Sequence, residues 1–166
     1  MAETFDLVFQ RRVALSPETL FRGWTEPAWL TRWFTPAPWQ TLEAEVDLRP
    51  GGIFRSVMRG PEGQTHNNTG VWLEVVPWHR LAWTDAFLPG WQPAPKPFAT
   101  VILTFEAGEG GTLYTAIARH KDAEDRDRHD AMGFQPGWGA ALDQLVALAE
   151  AGGPLTPGPT SPRAGS

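Results

Sequence analysis

The sequence predicts an α+β domain, an antiparallel sheet with its helices segregated from the strand run. Three observations predict it. Apolar residues alternate with period two in seven stretches between residues 5 and 120; two helix starts lie between the first stretch and the second; and from Asp122 the apolar spacing changes to that of a helix.

The first stretch is Phe5, Leu7, Phe9 and Val13, a strand by period. Ser16-Pro17-Glu18 then reads as a helix start, with Ser as N-cap, Pro at the first helical position and an acid in the first turn. This short helix runs to about Trp24, and Glu26-Pro27 opens a second through Trp29 and Leu30 to Trp33. Leu42, Ala44, Val46 and Leu48 alternate with Glu43, Glu45 and Asp47, the pattern of a half-buried strand. Arg49-Pro50-Gly51-Gly52 suits a type II turn, and Ile53 to Arg59 pairs back as a hairpin. Gly60-Pro61-Glu62-Gly63 turns again, and His66-Asn67-Asn68 marks the start of a strand near a sheet rim. Further strands fit Gly70–Val76, Arg80–Phe87, Ala99–Glu106 and Thr112–His120. Between Asp122 and Glu150, Phe134, Trp138, Leu142, Leu145 and Leu148 fall on one helical face, with a kink or restart expected near Gly133–Pro136.

The chain has 166 residues, enough for one domain that buries about two thirds of its unfolded surface without a staple. A single domain over residues 1–151 is expected; residues 152–166, rich in Gly, Pro, Ser and Thr, read as a disordered tail. There are no cysteines, which excludes disulfides, thiolate metal sites and a cysteine nucleophile. MAETFDLVFQ lacks the basic-then-apolar order of a signal peptide, and no apolar run approaches the roughly 18 residues of a membrane span. A cytoplasmic location with no membrane partner is therefore expected. The net charge of −5, without a basic run, argues against nucleic acid as a partner. A symmetric homodimer is compatible with the size, though no residue requires it.

The order of elements, with VALSPETLFRGWTEP, VDLRPGGIFRSVMRG, GVWLEVVPWHRLAWTD, the Gly-rich turn before GGTLYT, and GFQPGWGAALDQL, resembles the SRPBCC or START-like superfamily. Within it the chain looks like the branch named after the activator of the heat-shock chaperone ATPase, which is also described as polyketide-cyclase-like. These stretches cover nearly all of residues 5–150. The resemblance implies a helix-grip fold, like that of the pollen allergens, in which a curved antiparallel sheet wraps around the long C-terminal helix. It also implies a cavity between the two. One fold hosts many functions, so it does not select among lipid binders, cyclases, hormone receptors and chaperone cofactors.

Enzyme signatures are mostly missing: the sequence has no G-x-S-x-G elbow, no H-E-x-x-H and no phosphate loop. Gly108-Glu109-Gly110-Gly111 reads as a hairpin turn. The acids from Asp122 to Asp130 fail calcium-loop spacing and read as a capped helix N-terminus. No catalytic residue, metal or cofactor is assigned.

The distinctive feature is aromatic, nine Trp and nine Phe against one Tyr. Each such ring buries roughly 150–250 Å², so a core or a cavity must take up several. The expected function is binding of a small, largely apolar molecule, lipid-like or aromatic, between the sheet and the last helix. Candidate walls are Trp33, Trp72, Trp83, Phe98, Phe105, Phe134 and Trp138. Strand parity adds Asp85, beside Leu81, Trp83 and Phe87, and adds Thr115 and Arg119, beside Leu113 and Ile117, if those faces are concave. Trp91, in the Pro-rich Leu88–Pro97 segment, is expected to plug the entrance. Two alternatives stand beside this reading: a cyclase or dehydratase in which Asp85 or a His moves protons, and a protein-interaction domain that stimulates a chaperone.

Overall fold

The computed structural model describes residues 3–154. The element order is β1 (Phe5–Val13), α1 (Pro17–Thr25), α2 (Pro27–Trp33), β2 (Gln40–Val46), β3 (Ile53–Arg59), β4 (Thr65–Val76), β5 (Arg80–Thr84), β6 (Phe87–Leu88), β7 (Gln92–Pro93), β8 (Thr100–Gly108), β9 (Gly111–His120), α3 (Ala123–Ala131) and α4 (Phe134–Glu150). Seven strands form one antiparallel sheet in the order β1-β9-β8-β5-β4-β3-β2, so the first strand closes against the last. The core lies on one side of this sheet, under α1, α2 and α4. This is the helix-grip α+β arrangement.

Local chemistry sets the element ends. The Ser16 hydroxyl accepts from Thr19 N at 3.1 Å, and Pro17 follows it at the first helical position. Asp122 caps α3 by accepting from Asp125 N at 2.8 Å, so part of the acidic run is spent on a helix start. The expected restart falls at Gly133, whose φ of 92° only glycine adopts freely. Pro136 therefore sits in the first turn of α4, where its missing N–H costs nothing.

Two expectations of strand pairing are corrected. A bulge between Thr41 and Glu43 makes Leu42 an extra residue, 41% exposed, while Thr41 turns inward and bonds Thr35. Leu48 falls beyond β2 and is also exposed. In β9 the buried residues are Thr112, Tyr114, Ala116, Ala118 and His120, so the Leu113–Arg119 face points outward. Periodicity favours the larger apolar side chains, but the inward positions hold alanines. A small side chain there leaves room for what packs on the sheet.

The Leu88–Pro97 segment is not a plain loop. Residues 87–93 form a two-stranded hairpin that contacts β4. At the C-terminus, Gly153 packs on Trp29, where an added Cβ would come within 3.1 Å of the indole. The rest of the expected tail, residues 155–166, lies outside the described residues.

Candidate functional site

The inward face of the sheet carries Phe54 on β3, Trp72 on β4, Leu81 and Trp83 on β5, Phe105 on β8 and Tyr114 on β9. Trp72 and Trp83 stand directly opposite each other across β4 and β5. Both pack on the Phe54 ring, at centroid distances of 4.5 and 5.2 Å. From the helical side Trp24 enters this cluster: it stacks on Trp138 of α4 at 5.8 Å and lies 6.3 Å from Trp83. Trp24 thus connects the sheet to the C-terminal helix.

Within this aromatic group the polar atoms divide sharply. Trp24 Nε1 donates to the Tyr114 hydroxyl at 3.0 Å, and Trp33 Nε1 donates to the Gly23 carbonyl at 2.8 Å. The Nε1 atoms of Trp72 and Trp83 are buried and meet no acceptor among the described residues. Such unpaired donors are uncommon in folded interiors and call for an explanation. Trp83 and Trp138 also keep some accessible surface although both belong to the inward cluster. Burial pushes the Tyr114 hydroxyl pKa well above its ordinary value, so it stays a neutral donor.

The sequence-derived site residues separate into three groups. Trp33, Trp72, Trp83, Phe105, Phe134 and Trp138 all face the interior. Phe98 lies at one end of it, 5.0 Å from His129, which is in turn 5.0 Å from Phe134. The polar candidates are elsewhere. Asp85 Oδ1 accepts from Phe98 N at 2.8 Å and Ala99 N at 3.1 Å, a clasp that closes the 86–97 excursion. Thr115 accepts from Gln10 Nε2 at 2.9 Å on the outward face, and Arg119 approaches Asp6 at 3.7 Å on that face. Thr115 and Arg119 are thus not brought together with the aromatic walls.

Trp91 is 51% exposed and adopts a left-handed φ of 59°. Its ring lies over Gly51, where an added Cβ would come within 2.9 Å of it. Together Trp91, Gly90 and Pro89 face the Asp47–Ile53 turn across a cleft of about 440 Å³. Glu45 and Ile53, which line that cleft, alternate with the inward-facing Val46 and Phe54, so the cleft opens on the outer side of the sheet.

Three interior contributors escaped the sequence reading. Trp24 read only as a helix end, Phe54 as a hairpin residue, and Tyr114 fell on the face judged outward. The only usable signal is that Tyr114 is the single tyrosine, on the same strand parity as Ala116 and Ala118. A fourth feature is a histidine pair. His120 Nδ1 lies 2.8 Å from the Phe5 carbonyl, and His120 Nε2 lies 2.8 Å from His129 Nδ1. A carbonyl only accepts, so His120 Nδ1 carries a proton, and in the neutral ring Nε2 is then the acceptor towards His129 Nδ1–H.

Among the described residues no three His, Asp or Glu side chains approach closely enough to hold a metal, and no helix is long and apolar enough to cross a membrane.

A curved sheet gripping an aromatic-faced C-terminal helix defines a class, and comparison with known proteins places the chain within it. Residues 14–150 match the model of the activator of Hsp90 ATPase homolog 1-like proteins, and the chain belongs to that family. A solved structure from Nitrosomonas europaea is 40% identical, with TM-score 0.85 over 88% of this chain and 94% of its own. One from Rhodobacter sphaeroides is 29% identical, with TM-score 0.77 over 88% and 93%. A family member from Aeromonas hydrophila, 21% identical with TM-score 0.67 over 88% and 92%, shares the fold. No curated protein matches the chain.

Proposed function

We propose that this protein binds a small, largely apolar molecule between the inward face of the sheet and α4. The observation that carries the reading is the pair of buried indole N–H groups on Trp72 and Trp83 that meet no acceptor. An unpaired buried donor costs roughly 1–3 kcal/mol, and a ligand acceptor removes that cost. The surrounding walls are apolar and aromatic with few polar groups, the usual chemistry of a small-molecule site. Trp83 and Trp138 are only partly buried, so each keeps surface for a guest to cover.

Titration with the uncharged fluorophore N-phenyl-1-naphthylamine tests the reading. A saturable rise in its emission at one probe per chain, quenching tryptophan emission, is expected. The same titration of Trp91→Ala is expected to be unchanged, because Trp91 borders the outer cleft. Non-saturating enhancement, or loss of binding in Trp91→Ala, would count against the interior site.

A further inference from the structure

The unspent hydrogen-bonding capacity of this interior is weighted to donors. Trp72 and Trp83 each hold an N–H with no acceptor. The Tyr114 hydroxyl accepts from Trp24, and among the described residues no acceptor meets its own proton. Against these three protons, the inward strand positions offer little in return. Arg11 and His120 lie on the two strands at one edge of the sheet. Both are engaged, Arg11 with Asp143 at 2.7 Å and His120 with Phe5 and His129. Asp125, the buried carboxylate, is held by Lys121 and Arg128 outside the aromatic group. On β3 the buried Ser56 adds a hydroxyl, which both donates and accepts.

Such an interior discriminates by charge and by proton count. A carboxylate ligand would be buried without a free cation, which is costly. An amine or amide would bring protons for which few acceptors are available, and a hydrocarbon would leave both indoles unpaired. A carbonyl oxygen has two lone pairs and no proton. Resting on the interior-binding reading above, we infer that the ligand is an uncharged aryl or conjugated carbonyl compound. Its carbonyl oxygen or oxygens accept from Trp72 and Trp83 while its ring lies on the aromatic walls. The rings of Phe54, Trp83, Trp24 and Trp138 pack edge-on and face-on against one another, and walls of this kind favour a flat π-system over a flexible acyl chain.

The test follows the indole N–H resonances of the ¹⁵N-labelled protein, with Trp72→Phe and Trp83→Phe supplying the assignments. Acetophenone, ethylbenzene and benzoate are the probes, matched in size and differing in the group on the ring. Acetophenone is expected to move both indole protons downfield and to bind about tenfold tighter than ethylbenzene, given two hydrogen bonds of ordinary strength. Each single variant is expected to reduce that preference, so the comparison stands if only one of them folds. Ethylbenzene binding as tightly as acetophenone would overturn the carbonyl assignment and leave interior binding intact. Benzoate binding tightest would overturn the uncharged class. Failure of all three probes to perturb any interior tryptophan would overturn the interior site itself.

Discussion

His129 shows how a single buried group links this fold to solution conditions. Burial, and then the neighbouring His120, push its pKa down to about 4 from the ordinary 6.5, while Asp130 pulls weakly the other way. Phe98 from the β7–β8 connection and Phe134 of α4 pack on the ring, and Arg128 lies over Phe98. The unfolded chain takes up a proton near pH 6.5 and the folded chain only near pH 4. The stabilisation is therefore complete above about pH 6.5 and is lost as pH falls towards 4. Urea unfolding at pH 7.0 and 5.5 is expected to show lower stability at the acid value, before most carboxylates titrate. His129→Asn, which keeps a donor for His120, is expected to flatten that difference. An unchanged slope would place His129 in a more solvated setting. Trp138 carries a second expectation at this scale. It contacts Trp24, Phe9 and Phe134, so Trp138→Ala is expected to cost about 3 kcal/mol in denaturant unfolding. A negligible change would contradict the packing of α4 on the aromatic cluster.

Between elements, glycines report where two surfaces meet. Gly23 lies in α1, where alanine ordinarily stabilises a helix. Here an added Cβ would come within 2.7 Å of Leu145 Cδ1, and Leu145 is fully buried with little freedom to yield. Gly137 in α4 has nothing within 4 Å of that position. Gly137→Ala is therefore expected to raise stability by about 0.5–1 kcal/mol, whereas Gly23→Ala lowers it. Thermal unfolding of the two variants checks the opposite signs. The outer cleft gives a parallel comparison. Gly51 and Gly63 share positive φ, 83° and 89°, but only Gly51 lies under Trp91. Alanine at either is expected to cost about 1–2 kcal/mol of backbone strain, with a further loss and a shift in tryptophan emission at position 51 alone. Equal effects would mean that Trp91 does not rest on the turn. Element boundaries of this kind were largely legible in the sequence, because caps and turns are local: Ser16, Asp122, Gly51 and Gly133 act within a few residues of themselves. The bulge at Leu42 and the parity of β9 were not. Both depend on which neighbour pairs with which, and a strand with Leu113 and Ile117 on one face and alanines on the other gives hydrophobicity no correct answer.

At the scale of the molecule, the chain spends its aromatic residues unevenly. Phe54, Trp72, Trp83, Trp24 and Trp138 meet in one group between sheet and helix, while Trp78 and Trp91 remain at the surface. The fold was readable because seven alternating stretches and a helical coda leave few alternatives. That Trp33, Trp72, Trp83, Phe105, Phe134 and Trp138 face the interior was readable from residue type and position. The polar arrangement of the interior was not, since Asp85 serves a loop clasp and the unpaired groups are indole nitrogens, which composition alone does not distinguish from satisfied ones. The account rests on one claim, that this interior takes a small apolar guest. Native mass spectrometry of protein purified without denaturation, followed by mass analysis of whatever is released, tests it most directly. The expected result is a one-to-one adduct of an uncharged aromatic compound, or saturable uptake of acetophenone by the empty protein. An empty protein that takes up neither acetophenone nor ethylbenzene would contradict the claim.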